Sequence, residues 1–207
     1  MRLDLHVHSE NSSDSDMTLK EIEQAALERG LDGIALTDHN ELTIFRSKKI
    51  LIIPGEEVAT SSGEVIGLGL RKKIEKDLTP EETIRQIHEQ GGIAIAPHPF
   101  DYFRSGLGLQ LEHLDIDAVE TLNARCLFLK PVKMAEKFAD EKGLPKVGGS
   151  DAHTQGEIGN AYTELRCEKK MASILNAVKN GRTNVFGKLS SPLVHINSYV
   201  ARFKKRI

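Results

Sequence analysis

Short apolar runs of strand length alternate with segments of helical period along the whole chain, and the helical segments stop at glycines. That alternation constrains the fold more than any other feature, because repeated strand-helix units build a largely parallel sheet covered by helices rather than a sandwich. Thr18 and Glu21 form a capping box for a helix running to Arg29, with Ile22, Ala25 and Ala26 on one face and Gly30 as the stop. Thr79, Pro80 and Glu82 open a second helix, with Ile84, Ile87 and His88 at helical spacing before Gly91 and Gly92. A third runs from about Leu127 to Lys142 before Gly143, and a fourth from about Lys169 to Asn180 before Gly181. Between them the expected strands are Leu3–His8, Gly33–Thr37, Ile50–Ile53, Val65–Leu70, Ile93–Ala96, Ala118–Leu122, Lys146–Gly149 and Asn184–Phe186.

Most of these strands are short Ile, Leu and Val runs, which suits burial on both faces of a parallel sheet. No glycine-rich dinucleotide fingerprint follows the first strand, so a closed or nearly closed barrel wrapped by helices fits better than an open sheet. A length of 207 residues allows one domain, 1–207, and 39% hydrophobic with 28% charged residues is an ordinary globular balance. The net charge of -2 argues against a broad basic nucleic-acid footprint. The basic tail Arg202–Arg206 reads as a solvated end. An aspartate and two histidines interrupt the first ten residues, and no apolar stretch approaches the roughly 20 residues that span a bilayer. The expected location is therefore the cytoplasm, without membrane contact. Cys126 and Cys167 lack metal-binding spacing and read as small buried or half-buried hydrophobes.

In parallel α/β folds the carboxyl ends of the strands build the active site, so the residues that follow each strand carry the functional information. Here they are chemically one-sided: His6 and His8 with the acidic tract containing Asp14, then Asp38 and His39, Glu56 and Glu57, His98, and finally Asp151 and His153. Strand alternation puts Asp4, His6 and His8 on one face, so two imidazoles can grip a cation from the same side. Asp4, one step deeper, is placed to accept the remaining ring N–H of a ligating histidine. Five histidines with Asp14, Glu57 and Asp151 are too many ligands for one ion that keeps a position open for substrate. At least two ions are implied, with Glu57 as the natural bridge. Imidazole and carboxylate donors without thiolate favour zinc, manganese or iron over calcium.

The motifs LDLHVHS, LTDHN, PGEEV, APHP and GGSDAH, in this order from His6 to about Gly187, resemble the polymerase and histidinol phosphatase (PHP) domain family. That resemblance implies a distorted, TIM-like (β/α) barrel of about seven strands, two or three bound metals and phosphoester hydrolysis. It implies that His6, His8, Glu57 and Asp151 hold one ion, that Glu57 bridges to a second ion bound by His98, and that Asp14, His39 and His153 hold a third. Where many relatives carry a histidine after the bridging glutamate, this chain reads Ser62-Gly63-Glu64-Val65, which makes Glu64 the candidate ligand there and leaves the ion count at two or three.

Clustered divalent ions suit phosphoester hydrolysis on physical grounds, since they lower the pKa of a shared water, supply hydroxide for in-line attack and neutralise phosphoryl charge. Glu57 and Asp151 are the carboxylates placed at that centre. Arg104, in the loop after His98, is the candidate for gripping the transferred phosphate, and Arg125 and Asn123 are further candidates for substrate contact. Tyr102 and Phe103 beside Arg104 are placed to stack one base. The expected substrate is a small nucleotide-like or sugar phosphomonoester. The alternatives are an exonuclease-type action on short oligonucleotides, an amidohydrolase-type barrel, and a non-catalytic metal-binding accessory module. No protein partner is identifiable. His88, His113 and His195 have no partner motif and stay outside the site.

Overall fold

The computed structural model describes residues 1–194 and Lys205. Among these described residues nine strands and four helices follow in the order β1 (Arg2–Val7), α1 (Leu19–Glu28), β2 (Gly33–Leu36), β3 (Leu51–Thr60), β4 (Gly63–Leu68), α2 (Pro80–Glu89), β5 (Ile93–Ala96), β6 (Ala118–Asn123), α3 (Leu129–Lys142), β7 (Lys146–Gly149), β8 (Ala161–Leu165), α4 (Met171–Lys179) and β9 (Thr183–Gly187), with a 3₁₀ turn at Gly108–His113. None of the described helices is long and apolar enough to cross a membrane.

The helix signals act as expected. The Thr18 side chain accepts from the Glu21 N–H at 3.3 Å and the Glu21 carboxylate accepts from the Thr18 N–H at 2.8 Å, a complete capping box. Thr79 caps α2, whose first position is Pro80. Gly143 closes α3 in the left-handed conformation that glycine adopts without strain. The apolar stripe of α1 buries Ile22, Ala25 and Ala26 against Ile34 and Leu36 of β2 and Val7 of β1.

All nine strands join one sheet in the order β7-β6-β5-β4-β3-β2-β1-β8-β9. The sheet curls until its ends meet, making a nearly closed barrel. At one seam the Thr183 hydroxyl of β9 donates to the Lys146 carbonyl of β7 at 2.7 Å. At another, Thr163 of β8 accepts from the Gly148 N–H and donates to its carbonyl, at 2.8 and 2.9 Å. Just past β7, Ala152 bridges directly to Val7.

Two expectations need correction. Among the described residues the sheet has nine strands, not about seven, and is mixed rather than largely parallel: β3–β4, β4–β5, β1–β8 and β8–β9 run antiparallel. Only residues 61–62 separate β3 from β4, and so short a connection can make a hairpin but no parallel crossover. Pro54-Gly55 reads as the end of a strand in the sequence, yet β3 continues through it to Thr60, because Pro54 keeps a usable acceptor and its carbonyl takes the Gly69 N–H at 2.8 Å. Strand β8, Ala-Tyr-Thr-Glu-Leu, is absent from the sequence reading because it is polar at alternate positions and lacks a continuous apolar run.

The Thr163 hydroxyl is fully buried and occupies both polar groups of Gly148. Thr163→Val keeps the shape but strands those two groups, and is expected to lower stability in urea unfolding by about 1–3 kcal/mol; an unchanged midpoint would show that the seam does not hold the barrel.

Candidate metal centre

The sequence-predicted ligands gather at the carboxyl-terminal rim of β1, β2, β5 and β7, joined by Glu57 and Glu64 from the β3–β4 hairpin. His6, His8, Glu57 and Asp151 are all completely buried. His6 Nε2 and His8 Nε2 lie 3.2 and 3.3 Å from Glu57 Oε2, and 3.6 and 3.2 Å from Asp151 Oδ1. These four atoms face one another without the alignment of a hydrogen bond, and none of them is hydrogen-bonded elsewhere. Donors about 2.1 Å from a shared ion stand ~3–4 Å apart, the range of these four imidazole–carboxylate distances, and ligand atoms of His6, His8 and Glu57, like those of His6, His98 and Asp151, fall within 4.8 Å of one another. Unsatisfied, fully buried polar atoms are costly, and their convergence at that spacing fits a cation.

Two further groups adjoin this one. The other oxygen of Glu57, Oε1, is 3.0 Å from His98 Nε2, and Glu64 Oε2 is 3.8 Å from the same nitrogen. On the opposite side, Asp14 stands 3.2 Å from His153 Nε2 and 3.5 Å from His39 Nε2. His39 sits between the two groups, with its Nδ1 3.2 Å from Glu57 Oε2 and 3.8 Å from Glu64 Oε1. Potential ligand atoms of His8, Asp14, His39 and His153 fall within 4.8 Å of one another, as do those of His39, Glu57 and Glu64. Glu57, on β3, belongs both to the group with His6 and His8 and to that with His39 and Glu64, and meets His98 through its other oxygen. His98 and Asp151 carry φ angles of 29° and 56°. Backbone in this region is unfavourable for residues with a Cβ, and such strain concentrates where a side chain must be aimed.

The charges explain one another. Burial alone would lower the His8 pKa, but the Asp151 and Glu57 carboxylates raise it to about 9. His6 is driven up in the same way by Asp151, Glu57 and Glu120 against the opposing effect of burial. Burial would push Glu57 and Asp151 up, yet His6 and His39 around the first, and Arg104 and His6 around the second, hold both well below the usual carboxylate range. His153 is the exception: burial and the neighbouring His8 lower it to about 3, so it is a neutral imidazole near pH 7. Burial and the Glu57 charge raise Glu64.

The structure reassigns the orienting acceptor behind His6. The Asp4 carboxylate does not reach a histidine ring; it accepts from the Ser150 and Gly159 N–H groups at 2.8 and 2.9 Å, tying β1 to the chain after β7. The His6 ring instead places Nδ1 3.0 Å from Glu120 Oε1. Glu120 Oε2 also accepts from the His98 N–H at 2.9 Å, so one carboxylate positions two candidate ligands. Glu120 escaped the sequence reading because it lies inside a strand; its signal was a lone acid in the apolar run of β6. Gly149 is as tightly constrained: a Cβ there would run into the His6 Cβ and sit 2.8 Å from Glu120 Oε1.

The candidate substrate residues have unequal surroundings. Arg104 keeps 18% of its side chain exposed while its guanidinium pairs with Asp151 Oδ2, leaving Asp151 Oδ1 to the histidines. Asn123 is buried, donates to Glu120 and Asp151 at 2.9 Å each, and accepts from the Arg125 N–H at 2.9 Å. Arg125 is buried too; its Nε is 3.2 Å from Glu157 and its NH1 lies against His153 Nδ1. Asn123 and Arg125 therefore stand behind the ligands, bracing Asp151 and His153, and Arg104 reaches the mouth. His88 pairs with Asp117 at 2.7 Å, away from the cluster, and His195 lies outside the described residues. Of the basic tail only Lys205 is described, and its ammonium is bonded rather than merely solvated: it donates to the Glu10, Ser12 and Ser15 carbonyls at 2.5–2.6 Å, fastening the loop that carries Asp14.

This barrel, with its histidine-carboxylate rim, defines the class, and comparison with known proteins agrees. Residues 4–123 match the PHP domain family and residues 132–183 the PHP-associated family. The chain belongs to the PHP domain family. It is 37% identical over 179 residues to the uncharacterized protein MJ0417 of Methanocaldococcus jannaschii, covering 82% of this chain and 73% of that one. Among solved structures it resembles PsfC from Pseudomonas syringae, with a TM-score of 0.73 at 20% identity and 98% of each chain covered. It also resembles the lesion-specific endonuclease Q of Pyrococcus furiosus, with a TM-score of 0.68 at 18% identity, covering 92% of this chain but 59% of the endonuclease.

Two outcomes follow. His8 has its folded pKa raised from 6.5 to about 9, so its stabilising contribution is complete below pH 6.5 and is lost as pH rises through 9. Metal-free protein should therefore melt at progressively lower temperature across that window, while a metal-loaded sample, whose histidines are already deprotonated, should change little; equal profiles would contradict this electrostatic picture. Glu120→Gln should leave the fold intact and weaken metal binding about 10- to 100-fold in competition with a chelator; unchanged affinity would remove Glu120 from its bracing role.

Proposed function

We propose that this protein is a metal-dependent phosphoesterase acting on a small phosphorylated substrate, a nucleotide-like or sugar phosphomonoester. The observation that carries the reading is the convergence of buried atoms without hydrogen-bond partners on His6, His8, Glu57 and Asp151, with further candidate ligands adjoining through the second oxygen of Glu57. In this reading His6, His8, Glu57 and Asp151 hold one ion, and Glu57, His98 and Glu64 a second. Asp14, His39 and His153 are positioned for a third. Divalent ions of the zinc, manganese or iron type, when bound, supply the Lewis acidity that makes water nucleophilic near neutral pH and offsets charge on phosphoryl oxygens.

The remaining work belongs to the chain. Glu57 would help hold both ions, since one of its oxygens faces His6 and His8 and the other faces His98. Asp151, with one oxygen on the histidines and the other on Arg104, ties the phosphate-gripping arginine to the ligand set. A substrate phosphate draws the Arg104 guanidinium outward, since its planar fork matches two phosphoryl oxygens. Asn123 then continues to hold Asp151 Oδ2. Glu120, Asn123, Arg125 and Glu157 fix these groups from behind, so little reorganisation accompanies the reaction.

The fold of an endonuclease is among the similar structures, and a phosphodiester in an oligonucleotide presents the same reacting group. The 5% aromatic content favours the smaller substrate.

Purified protein loaded with zinc, manganese or iron and screened on a phosphoester panel tests the reading. Hydrolysis of phosphomonoesters is expected, with the His6→Ala, His8→Ala double variant losing more than about 100-fold in kcat/KM while remaining folded by circular dichroism. Bound metal without turnover of any phosphoester would favour an accessory metal module, and turnover confined to oligonucleotides would favour the nuclease.

A further inference from the structure

The loops that carry Arg104 and Arg125 also expose aromatic side chains. The chain has only seven Phe and three Tyr, yet Tyr102 and Phe103 are each 71% exposed and Phe128 is 58% exposed, with Leu129 beside it at 57%. These residues come from two different segments, the loop after β5 and the turn from β6 into α3. The same β5 loop buries Phe100 edge-on against Phe138 at 5.6 Å between centroids, so it does not lack a core to receive apolar groups. Tyr102 lies along α3 with its hydroxyl 3.7 Å from Met134 Sδ. The Phe103 and Phe128 rings face each other with centroids 6.2 Å apart and planes inclined at 41°.

We propose that Phe103 and Phe128 form an aromatic clamp for the base of a mononucleotide whose phosphate is held at the metal centre. This inference rests on the phosphoesterase reading and narrows its substrate from phosphomonoesters in general to those bearing a nucleobase. Neighbouring bases stack about 3.4 Å apart, so a base held between two rings needs them about 7 Å apart, within an ångström of the present separation. Their mutual tilt leaves a wedge that a modest rotation of either exposed ring opens. Phe103 precedes Arg104, whose guanidinium pairs with Asp151. Phe128 closes the short segment begun by Asn123 and Arg125, which brace Asp151 and His153. Both rings are thus one short segment from residues at the metal centre. A sugar phosphate has no π face to occupy such a clamp, whereas every nucleobase does.

Adenosine 5′-monophosphate and ribose 5-phosphate separate these cases, because they share the phosphate and the ribose and differ only in the base. In the metal-loaded enzyme the Phe103→Ala, Phe128→Ala double variant should lose its preference for the nucleotide, the kcat/KM ratio falling roughly 5- to 150-fold through KM. The Leu, Leu double variant keeps apolar area without a π face and should lose a similar part of the preference. An unchanged ratio, or equal losses on both substrates, would overturn the clamp while leaving the phosphoesterase reading intact. Should the wild type hydrolyse neither compound, the wider phosphoester panel judges the phosphoesterase reading, and calorimetric titration of metal-loaded protein with adenosine 5′-monophosphate still judges the clamp: weaker binding by the variant supports it, equal binding or none by the wild type overturns it.

Discussion

The mutual neutralisation around Glu57 is the interaction on which the rest of this structure depends. A carboxylate with no solvent exposure is placed among His6, His8, His39 and His98, where an isolated buried charge would be prohibitive and a well-surrounded one is tolerable. Removing any single member leaves its neighbours with uncompensated charge in a dry environment. The barrel must therefore bring β1, β2, β3 and β5 to one rim with little latitude. Protons can neutralise this arrangement, as the elevated His6 and His8 show, and divalent ions neutralise it better.

That requirement accounts for features with no other apparent purpose. The extension of β3 beyond Pro54 carries Glu57 to the rim and turns back through β4 to add Glu64. The left-handed backbone at His98 and Asp151 aims two side chains that ordinary strand ends would send elsewhere. Gly149 lets β7 approach β1 closely enough for Asp151 to meet the histidines. The seam between β7 and β8, held by Thr163, supports that approach from the far side. Fold and site are thus one construction.

Much of this was legible in the residues themselves. The helix boundaries followed from Thr18, Thr79, Gly30 and Gly143, whose effects are local. The gathering of candidate ligands followed from polar side chains recurring after strands, a pattern that needs only topology to become a cluster. Less legible were features decided by tertiary contact. Strand β8 is polar at alternate positions and forms because β1 and β9 offer it two edges. Glu120 was hidden within a strand, and its role was assigned to Asp4, which shares a face with His6 but is drawn away by the Ser150 and Gly159 amides. Asn123 and Arg125 belong to the site but behind its ligands, because their loop folds inward; nothing in the local sequence distinguishes an inward arginine such as Arg125 from an outward one such as Arg104.

The most direct test of the central claim is a crystal structure of the manganese- or zinc-loaded protein with anomalous scattering recorded at the metal edge. The account predicts an anomalous peak within bonding distance of His6 Nε2, His8 Nε2, Glu57 Oε2 and Asp151 Oδ1, and a second beside Glu57 Oε1 and His98 Nε2. Peaks confined to surface carboxylates, or a cluster left metal-free at saturating metal, would contradict it.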